Sequence, residues 1–258
     1  MPWWWNASNV FDAPLALLYL HIPKCGGGSV VFWMLRHNPK FSLKLEYVRA
    51  KHFAELHPDV FGGRWSGPTP APSWTRVRVA VEYHASTERL YHYVAPRLRA
   101  LRAKYRAANG RLLAFTTVVD PAAAIRSFYR MWPPRRADRT LVPLVEWVEQ
   151  RGTSSAIITR SLSNGASGCN THRAVQTLHT FDHIVRVGKN ASMRSLCVVL
   201  GWAACPRFPY RHLVGPLSNE TQLQIAATPA ALLEPAARCD RRTLALAGAA
   251  LPGRFLQA

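Results

Sequence analysis

The sequence is poor in acidic residues and lacks a long apolar run. It has 14 Asp and Glu against 33 Lys and Arg, a formal net charge of +19. Such a charge favours polyanionic partners, namely nucleic acid, acidic glycan, anionic lipid or a phosphate-rich cofactor. A GC-rich genome that inflates Arg and Ala is an equally open explanation. The longest apolar run, near residues 15–22, is far shorter than the roughly 20 residues that span a bilayer, so we expect no transmembrane segment.

Signals for targeting and for metal binding are also scarce. The amino terminus, MPWWWNAS, has no basic region before an apolar core, so no signal peptide is visible. No CxxC pair occurs and no His lies at zinc spacing around the cysteines, which predicts no metal site. Two disulfides with Cys25 free, or buried free thiols throughout, both remain open for the five cysteines, Cys25, Cys169, Cys197, Cys205 and Cys239. Three N-x-[ST] sequons begin at Asn6, Asn190 and Asn219 and favour a secretory compartment.

The apolar content is sufficient for a substantial core. Hydrophobic residues make up 48% of the 258 residues, which suits one large α/β domain or two small ones. Since no repeat or convincing boundary is visible, we interpret residues 1–258 as a single domain. It would carry an N-terminal extension over 1–14 and a loop rich in Pro and Gly over 58–75.

Apolar strands alternate with helical patterns along the chain. Strands are predicted over 15–21, 76–82, 112–119 and 182–188. Helices are predicted over 29–36, 86–108 with a break at Pro96, 121–132, 140–151, 154–163 and 172–179, and again in the C-terminal third. This order predicts an α/β fold of three layers, P-loop-like, with a central parallel sheet flanked by helices. Ligands bind such sheets beyond the carboxyl ends of the strands, which here are residues 21–29 and 120–127.

The stretch HIPKCGGGSV connects the first strand to the first helix. Glycines let the backbone approach a ligand closely, and a helix N-terminus attracts anions. Lys24 adds a mobile positive charge, and Ser29, the predicted N-cap, adds a hydroxyl donor. We expect four N–H groups to face a bound phosphate, those of Gly26, Gly27, Gly28 and Ser29. The lysine precedes the glycines, so this is not a Walker A loop, and a tight turn with an incidental lysine is the alternative.

This stretch resembles the 5′-phosphosulfate loop of sulfotransferases that use 3′-phosphoadenosine 5′-phosphosulfate (PAPS). Membrane-type carbohydrate sulfotransferases, including the heparan type, typically have HIPKTGGTS there. Cys25 and Gly28 stand where that family has threonines. The resemblance implies that residues 24–29, Cys25 included, contact the cofactor and that Lys24 stabilises the leaving oxygen. A nucleophilic role for Cys25 lacks a partner base, and we do not expect one.

A second segment, FTTVVDPAAAIRSFY, is similar to the family's 3′-phosphate motif, R-D-P-x-x-R-x-x-S-x-Y. Four positions match, Asp120, Pro121, Ser127 and Tyr129. Both motif arginines are absent, because Val119 and Ala124 occupy their places. Arg126 and Arg130 would have to reach round the helix to replace them. We name Arg126 and Ser127 as candidate cofactor contacts.

Transfer to a hydroxyl also requires a base. The segment VAVEYHAS ends a predicted strand and offers Glu82 and His84. A strand-end E-x-H segment supplies a glutamate base in heparan-type sulfotransferases, and related enzymes use histidine. The resemblance therefore implies Glu82 as the first candidate and His84 as the second. The alternative is that Glu82 pairs with an arginine and His84 caps the following turn.

The resemblance spans residues 15–250 and implies a PAPS-dependent sulfotransferase. The expected acceptor is a hydroxyl of a carbohydrate, possibly an acidic glycan, with no metal required. The expected location is the Golgi lumen or the secretory pathway, with the cytoplasm as the alternative. A second hypothesis is an inactive protein of the same fold that binds acidic glycans or other polyanions. We find no helix-turn-helix, zinc-finger or RNP pattern for a nucleic-acid partner.

Overall fold

The computed structural model describes residues 13–35, 46–64, 66, 73–76, 78–84, 90–151, 156–165, 168–187, 192, 194–197 and 218–256. Its strands are β1 Leu15–His21, β2 Glu46–Arg49, β3 Arg78–His84, β4 Arg111–Val118, β5 His183–Arg186 and β6 Phe255–Leu256. Its helices are α1 Gly27–Leu35, α2 Ala50–Glu55, α3 Pro58–Phe61, α4 Leu90–Val94, α5 Leu98–Ala107, α6 Pro121–Met131, α7 Leu144–Arg151, α8 Ile157–Leu162, α9 Thr171–Leu178, α10 Asn219–Ala227 and α11 Glu234–Ala250.

The six strands form one parallel sheet in the order β2-β3-β1-β4-β5-β6. This confirms the predicted α/β fold with a central parallel sheet flanked by helices. The central strands are buried on both faces because alternate side chains enter different clusters. Leu18 and Leu20 enter a large core with the α5 and α9 residues, whereas Leu17 and Tyr19 pack with Val30 of α1.

Both segments predicted to follow strand ends lie at the carboxyl edge of the sheet. β1 ends where predicted, and His21 is aligned with His84 of the neighbouring β3. Asp120 caps α6 as expected, since its carboxylate accepts from the N–H groups of Ala122 and Ala123. The parallel register therefore brings the β1–α1 loop, the end of β3 and the start of α6 to one side.

Several predicted boundaries were wrong. The helix predicted from Ser29 begins at Gly27, because the carbonyl of Gly26 already accepts the N–H groups of Ser29 and Val30. Ser29 is thus inside α1 and is not its N-cap. The loop predicted over 58–75 contains α3, which starts with Pro58 and ends at Gly62 with a positive φ of 72°. The break at Pro96 predicted within the helical region 86–108 is confirmed, since a 3-10 turn over Ala95–Arg97 separates α4 from α5. Residues 86–89 of that prediction lie outside the described residues.

The edge strands β2 and β6 were not predicted. They have four and two residues, too few for an alternating pattern to be recognisable. The cysteines follow the first of the two alternatives: Cys169 is bonded to Cys239, Cys197 is also disulfide-bonded, and Cys25 is free and buried. No described helix combines the length and apolarity needed to cross a membrane.

Candidate functional site

The β1–α1 loop turns sharply over the end of the sheet. The N–H of Cys25 donates to the carbonyl of Ile22 at 3.1 Å, and both Lys24 and Gly26 have positive φ, 65° and 81°. A Cβ at Gly26 would lie 2.9 Å from Cγ1 of Val187, just beyond β5. Glycine is therefore required at position 26 both by the backbone conformation and by the close packing.

The first turn of α1 lies against the imidazole of His21. A Cβ at Gly27 would lie 1.7 Å from Nε2 of His21, so only glycine leaves room for that ring. The other nitrogen, Nδ1, lies 2.5 Å from Oε1 of Glu82. The His21 and His84 rings meet edge to face with centroids 4.4 Å apart. His21 thus contacts both Glu82 of β3 and the first turn of α1.

Three of the four predicted amide donors are available to a ligand. The N–H groups of Gly26, Gly27 and Gly28 donate to no acceptor among the described residues. The N–H of Ser29 donates to the carbonyl of Gly26 instead, at 3.1 Å. Unpaired N–H groups at the start of a helix form an anion-binding concavity. The loop therefore has the donors that a phosphate or sulfate group requires.

A cavity of about 450 Å³ adjoins these amides. The β1–α1 loop contributes Lys24 and the residues from Gly26 to Ser29, and the strand ends contribute His21 and His84. The opposite wall is formed by α6 and by Ile225 of α10. None of the described residues that line the cavity carries a carboxylate. Its lining is therefore cationic, and it suits an anionic ligand.

Lys24 extends across the cavity toward the end of α6. Its Nζ lies 3.3 Å from Sδ of Met131 and 5.7 Å from the ring centroid of Trp132. Burial, and then the positive charge of Arg130, lower the pKa of the Lys24 ammonium. A bound anion would counter both effects. No described carboxylate forms an ion pair with Lys24. A bound anionic ligand would therefore neutralise the charge of this ammonium group.

The wall formed by α6 carries two arginines. Arg126, Ser127 and Arg130 all line the cavity, since residues three and four apart share one helix face. Arg126 and Arg130 consequently do not have to reach round the helix. The two positions where the family has arginines are different: Ala124 is fully buried in the large core, and Val119 packs against that core.

Cys25 does not line the cavity, contrary to its expected role as a cofactor contact. Its thiol is fully buried in the large core, and burial raises its pKa well above the ordinary range. Its carbonyl accepts the Thr117 hydroxyl at 2.7 Å, and Thr117 is 2.8 Å from the Tyr19 hydroxyl. Cys25 therefore holds the loop on the sheet, and the buried thiol does not act as a nucleophile.

The two candidate bases differ in position. His84 lines the cavity, and burial followed by the charge of His21 lowers its pKa. Glu82 is not among the lining residues and is bonded to His21. The loop motif alone gives His21 no role. The signal in the sequence that points to it is its position as the last residue of β1, at the start of the stretch that leads to the glycines.

Among the described residues, no group of three or more His, Cys, Asp or Glu side chains could hold a metal ion. Comparison of the chain with family models, with curated proteins and with solved structures finds no match.

Proposed function

We propose that this protein is a PAPS-dependent sulfotransferase that transfers a sulfuryl group to a hydroxyl, with a carbohydrate as the acceptor. One observation carries the proposal: a cavity at the carboxyl edge of the sheet joins three N–H groups, which have no acceptor among the described residues, to the cations Lys24, Arg126 and Arg130. No carboxylate of a described residue lines that cavity. Such a lining stabilises ligands rich in phosphate and sulfate oxygens.

The described residues fit PAPS at the loop. A side chain at Gly26 would press on Val187 and one at Gly27 would overlap the His21 ring, so glycine at both positions keeps the loop in this shape. Lys24 and the N–H groups of residues 26–28 would hold the 5′-phosphosulfate, while Ser29 lies beside them in the cavity lining. When bound, PAPS supplies an activated sulfuryl group whose departure leaves negative charge on a phosphate oxygen.

Lys24 is the candidate for stabilising that charge. A partly buried ammonium interacts more strongly with a developing negative charge than an exposed one does. Burial, and then the charge of Arg130, lower the pKa of Lys24, and a bound anion would oppose both effects. The role requires positioning and electrostatics only.

We assign removal of the acceptor proton to the imidazoles and not to Glu82. His21 and His84 both line the cavity. With its proton on Nδ1, His21 donates to Glu82, which leaves Nε2 as the acceptor and supports positive charge on the ring. Glu82 is then a positioning residue, and His84 is the second candidate for the base.

Nucleotide binding tests the proposal directly. Adenosine 3′,5′-bisphosphate, titrated calorimetrically into the purified protein, should bind with a micromolar Kd. Lys24→Ala should weaken binding about tenfold or more, because a charge-assisted contact contributes about 1.5–3 kcal/mol. Arg99→Ala removes the same charge from an exposed position on α5 and should bind normally. No binding at millimolar nucleotide would rule out a PAPS enzyme, and turnover is then checked with labelled PAPS and an acceptor panel.

The second candidate function is an inactive protein of this fold that binds acidic glycans. It is favoured by Ala124, which is fully buried where the family has an arginine. In that case heparin would bind with a steep dependence on salt. Lys24→Ala and Arg99→Ala would weaken heparin binding alike, and the nucleotide would not bind.

A further inference from the structure

Met131, the last residue of α6, presents a thioether to the cavity. It lines the cavity beside Lys24 and Trp132, and its side chain is half-buried. Its Sδ accepts from Nζ of Lys24 at 3.3 Å. The Cys25 thiol is fully buried in the large core, whereas the Met131 sulfur adjoins a cavity of about 450 Å³, large enough to admit small molecules. A sulfur atom that a small oxidant can reach therefore contacts the cation assigned to the ligand.

The contact between Met131 and Lys24 is weak as it stands. A thioether is a poorer hydrogen-bond acceptor than a carbonyl or carboxylate oxygen. No carboxylate of a described residue forms an ion pair with Lys24, and the charge of Arg130 disfavours its ammonium form. Within the described part of the chain, Nζ therefore has no strong acceptor, and it can leave Met131 for a bound anion at little cost.

Oxidation of Met131 would change the strength of this contact. A methionine sulfoxide carries a polar oxygen, whereas the thioether that it replaces is apolar. Because Sδ is already 3.3 Å from Nζ, a small rotation brings an oxygen bonded to Sδ within the roughly 2.7–3.2 Å of an N–H···O bond. A hydrogen bond from an ammonium is charge-assisted and therefore stronger than the present contact. The Lys24 charge would then be held at α6 and withdrawn from a ligand on the loop amides.

We propose that Met131 is a modification site whose oxidation by hydrogen peroxide holds the Lys24 ammonium at α6 and so weakens the binding of anionic ligands in the cavity. This inference rests on the proposed function, since it concerns the regulation of the same cavity. A lone pair of Sδ attacks one peroxide oxygen, so that an S–O bond forms and the O–O bond breaks. The attacked oxygen gives its proton to the departing hydroxide; sulfur is oxidised by two electrons, and the peroxide is reduced to water. Methionine sulfoxide reductases reverse such a modification.

The first measurement follows Lys24 itself and needs no nucleotide. The purified protein is treated with hydrogen peroxide, and the oxidation of each methionine is measured by peptide mass spectrometry. Acetylation of Lys24 by acetic anhydride should then be about three- to tenfold slower, because an ammonium bonded to an oxygen acceptor loses its proton less readily. Met131→Leu is close in volume and retains Met1, Met34 and Met193. Its Lys24 should react at the same rate before and after peroxide.

The second measurement is the affinity of the cavity. The Kd for adenosine 3′,5′-bisphosphate, determined by calorimetry, should rise about tenfold when Met131 is oxidised, because the ligand loses one charge-assisted contact. Met131→Leu should bind within about threefold of the wild type, with or without peroxide. Met131→Gln places an amide oxygen near the position of the sulfoxide oxygen, and it should bind weakly before any peroxide is added.

The outcomes are distinguishable. If Met131 is oxidised and neither the acetylation rate of Lys24 nor the Kd changes, the inference is overturned, and the measured nucleotide affinity leaves the proposed function standing. Equal weakening of the Met131→Leu protein by peroxide would assign the effect to another residue and overturn the inference as well. So would a Met131 thioether that stays reduced while free methionine in the same solution is oxidised.

Two further results separate the inference from the proposed function. If the wild type binds no nucleotide but oxidation still slows the acetylation of Lys24, the proposed function fails and the contact between sulfoxide and ammonium stands. The melting temperature of each variant is measured. If a variant unfolds, the acetylation rate of the wild type before and after peroxide decides, because that comparison needs no substitution.

Discussion

At the residue scale, His21 links three parts of the candidate site. Its ring stacks on Tyr19 at 5.8 Å between centroids and meets His84 edge to face at 4.4 Å. Nδ1 is bonded to Glu82, and Nε2 lies where a side chain at Gly27 would be. A change in this imidazole therefore affects Glu82, His84 and the start of α1 together.

Replacing Glu82 with glutamine tests its assignment as a positioning residue. The amide keeps the shape but cannot support positive charge on His21, so sulfuryl transfer should fall about 10²-fold or more. The Kd for adenosine 3′,5′-bisphosphate should change by only a few-fold, because Glu82 does not line the cavity. Glu149→Gln, at an exposed position of α7, is the matched control. Full activity in Glu82→Gln would show that the carboxylate has a structural role and no part in the reaction.

His21→Gln and His84→Gln then separate the two imidazoles. We expect His21→Gln to abolish turnover and His84→Gln to reduce it less, since the Nδ1 of His21 is bonded to the Glu82 carboxylate. Turnover and nucleotide Kd are measured for both. The reverse order of effects would make His84 the base.

At the element scale, the β1–α1 unit depends on adjacent glycines for different reasons. Gly26 has a positive φ, whereas Gly27 starts α1 and is limited by the His21 ring. The hydroxyl of Thr117 on β4 donates a hydrogen bond to the carbonyl of Cys25 and so fixes the loop on the sheet. The loop is therefore held by neighbouring strands as well as by its own sequence.

Gly27→Ala should destabilise the protein, because its Cβ would overlap the His21 ring and force it aside. Overpacking of this kind costs about 1–3 kcal/mol, measured by urea denaturation. Gly248→Ala is the contrasting control: Gly248 lies within α11 and a Cβ there meets no atom within 4 Å. That substitution should stabilise by about 0.5–1 kcal/mol. Unchanged stability and unchanged nucleotide binding in Gly27→Ala would refute the tight fit.

At the scale of the whole molecule, several histidines in different elements are buried or half-buried. Burial lowers the pKa of His84, His92 and His183, and that of His57 to about 4. His57 is surrounded by Phe53, Trp74 and Tyr105, with Lys104 lowering and Asp59 raising its pKa. Each of these rings is kept neutral by folding at a pH where the unfolded chain would protonate it.

Stability should therefore fall as the pH drops from about 6.5 toward 4. In that window the unfolded state binds more protons than the folded state, so the free energy of unfolding decreases with decreasing pH. His57 alone accounts for about 2–3 kcal/mol at most. His57→Phe should flatten the profile measured by urea denaturation at several pH values, whereas His172→Gln, on an exposed part of α9, should not. An unchanged slope in His57→Phe would contradict the assignment.

Much of the fold was predictable because its signals are local. The apolar run of β1 and the Asp120-Pro121 start of α6 were identified correctly, since burial and capping leave patterns within a few residues. The short strands β2 and β6 were missed because pairing with β3 and β5 defines them. The sequence predicts the start of α1 two residues too late because glycines before Ser29 are typical of a loop, whereas the carbonyl of Gly26 accepts the first helical hydrogen bonds.

The candidate site also has one part that the sequence predicts and another that it does not. The grouping of Lys24 with the glycines of the loop is predictable from the sequence, because these residues are neighbours within one strand-turn-helix unit. Three features depended on the tertiary structure: the pairing of Glu82 with His21, the burial of the Cys25 thiol, and the placing of Arg126 and Arg130 on the cavity wall. Each is set by side chains that lie far apart in the chain and meet only when the parallel strands and their helices pack, so no local pattern encodes them.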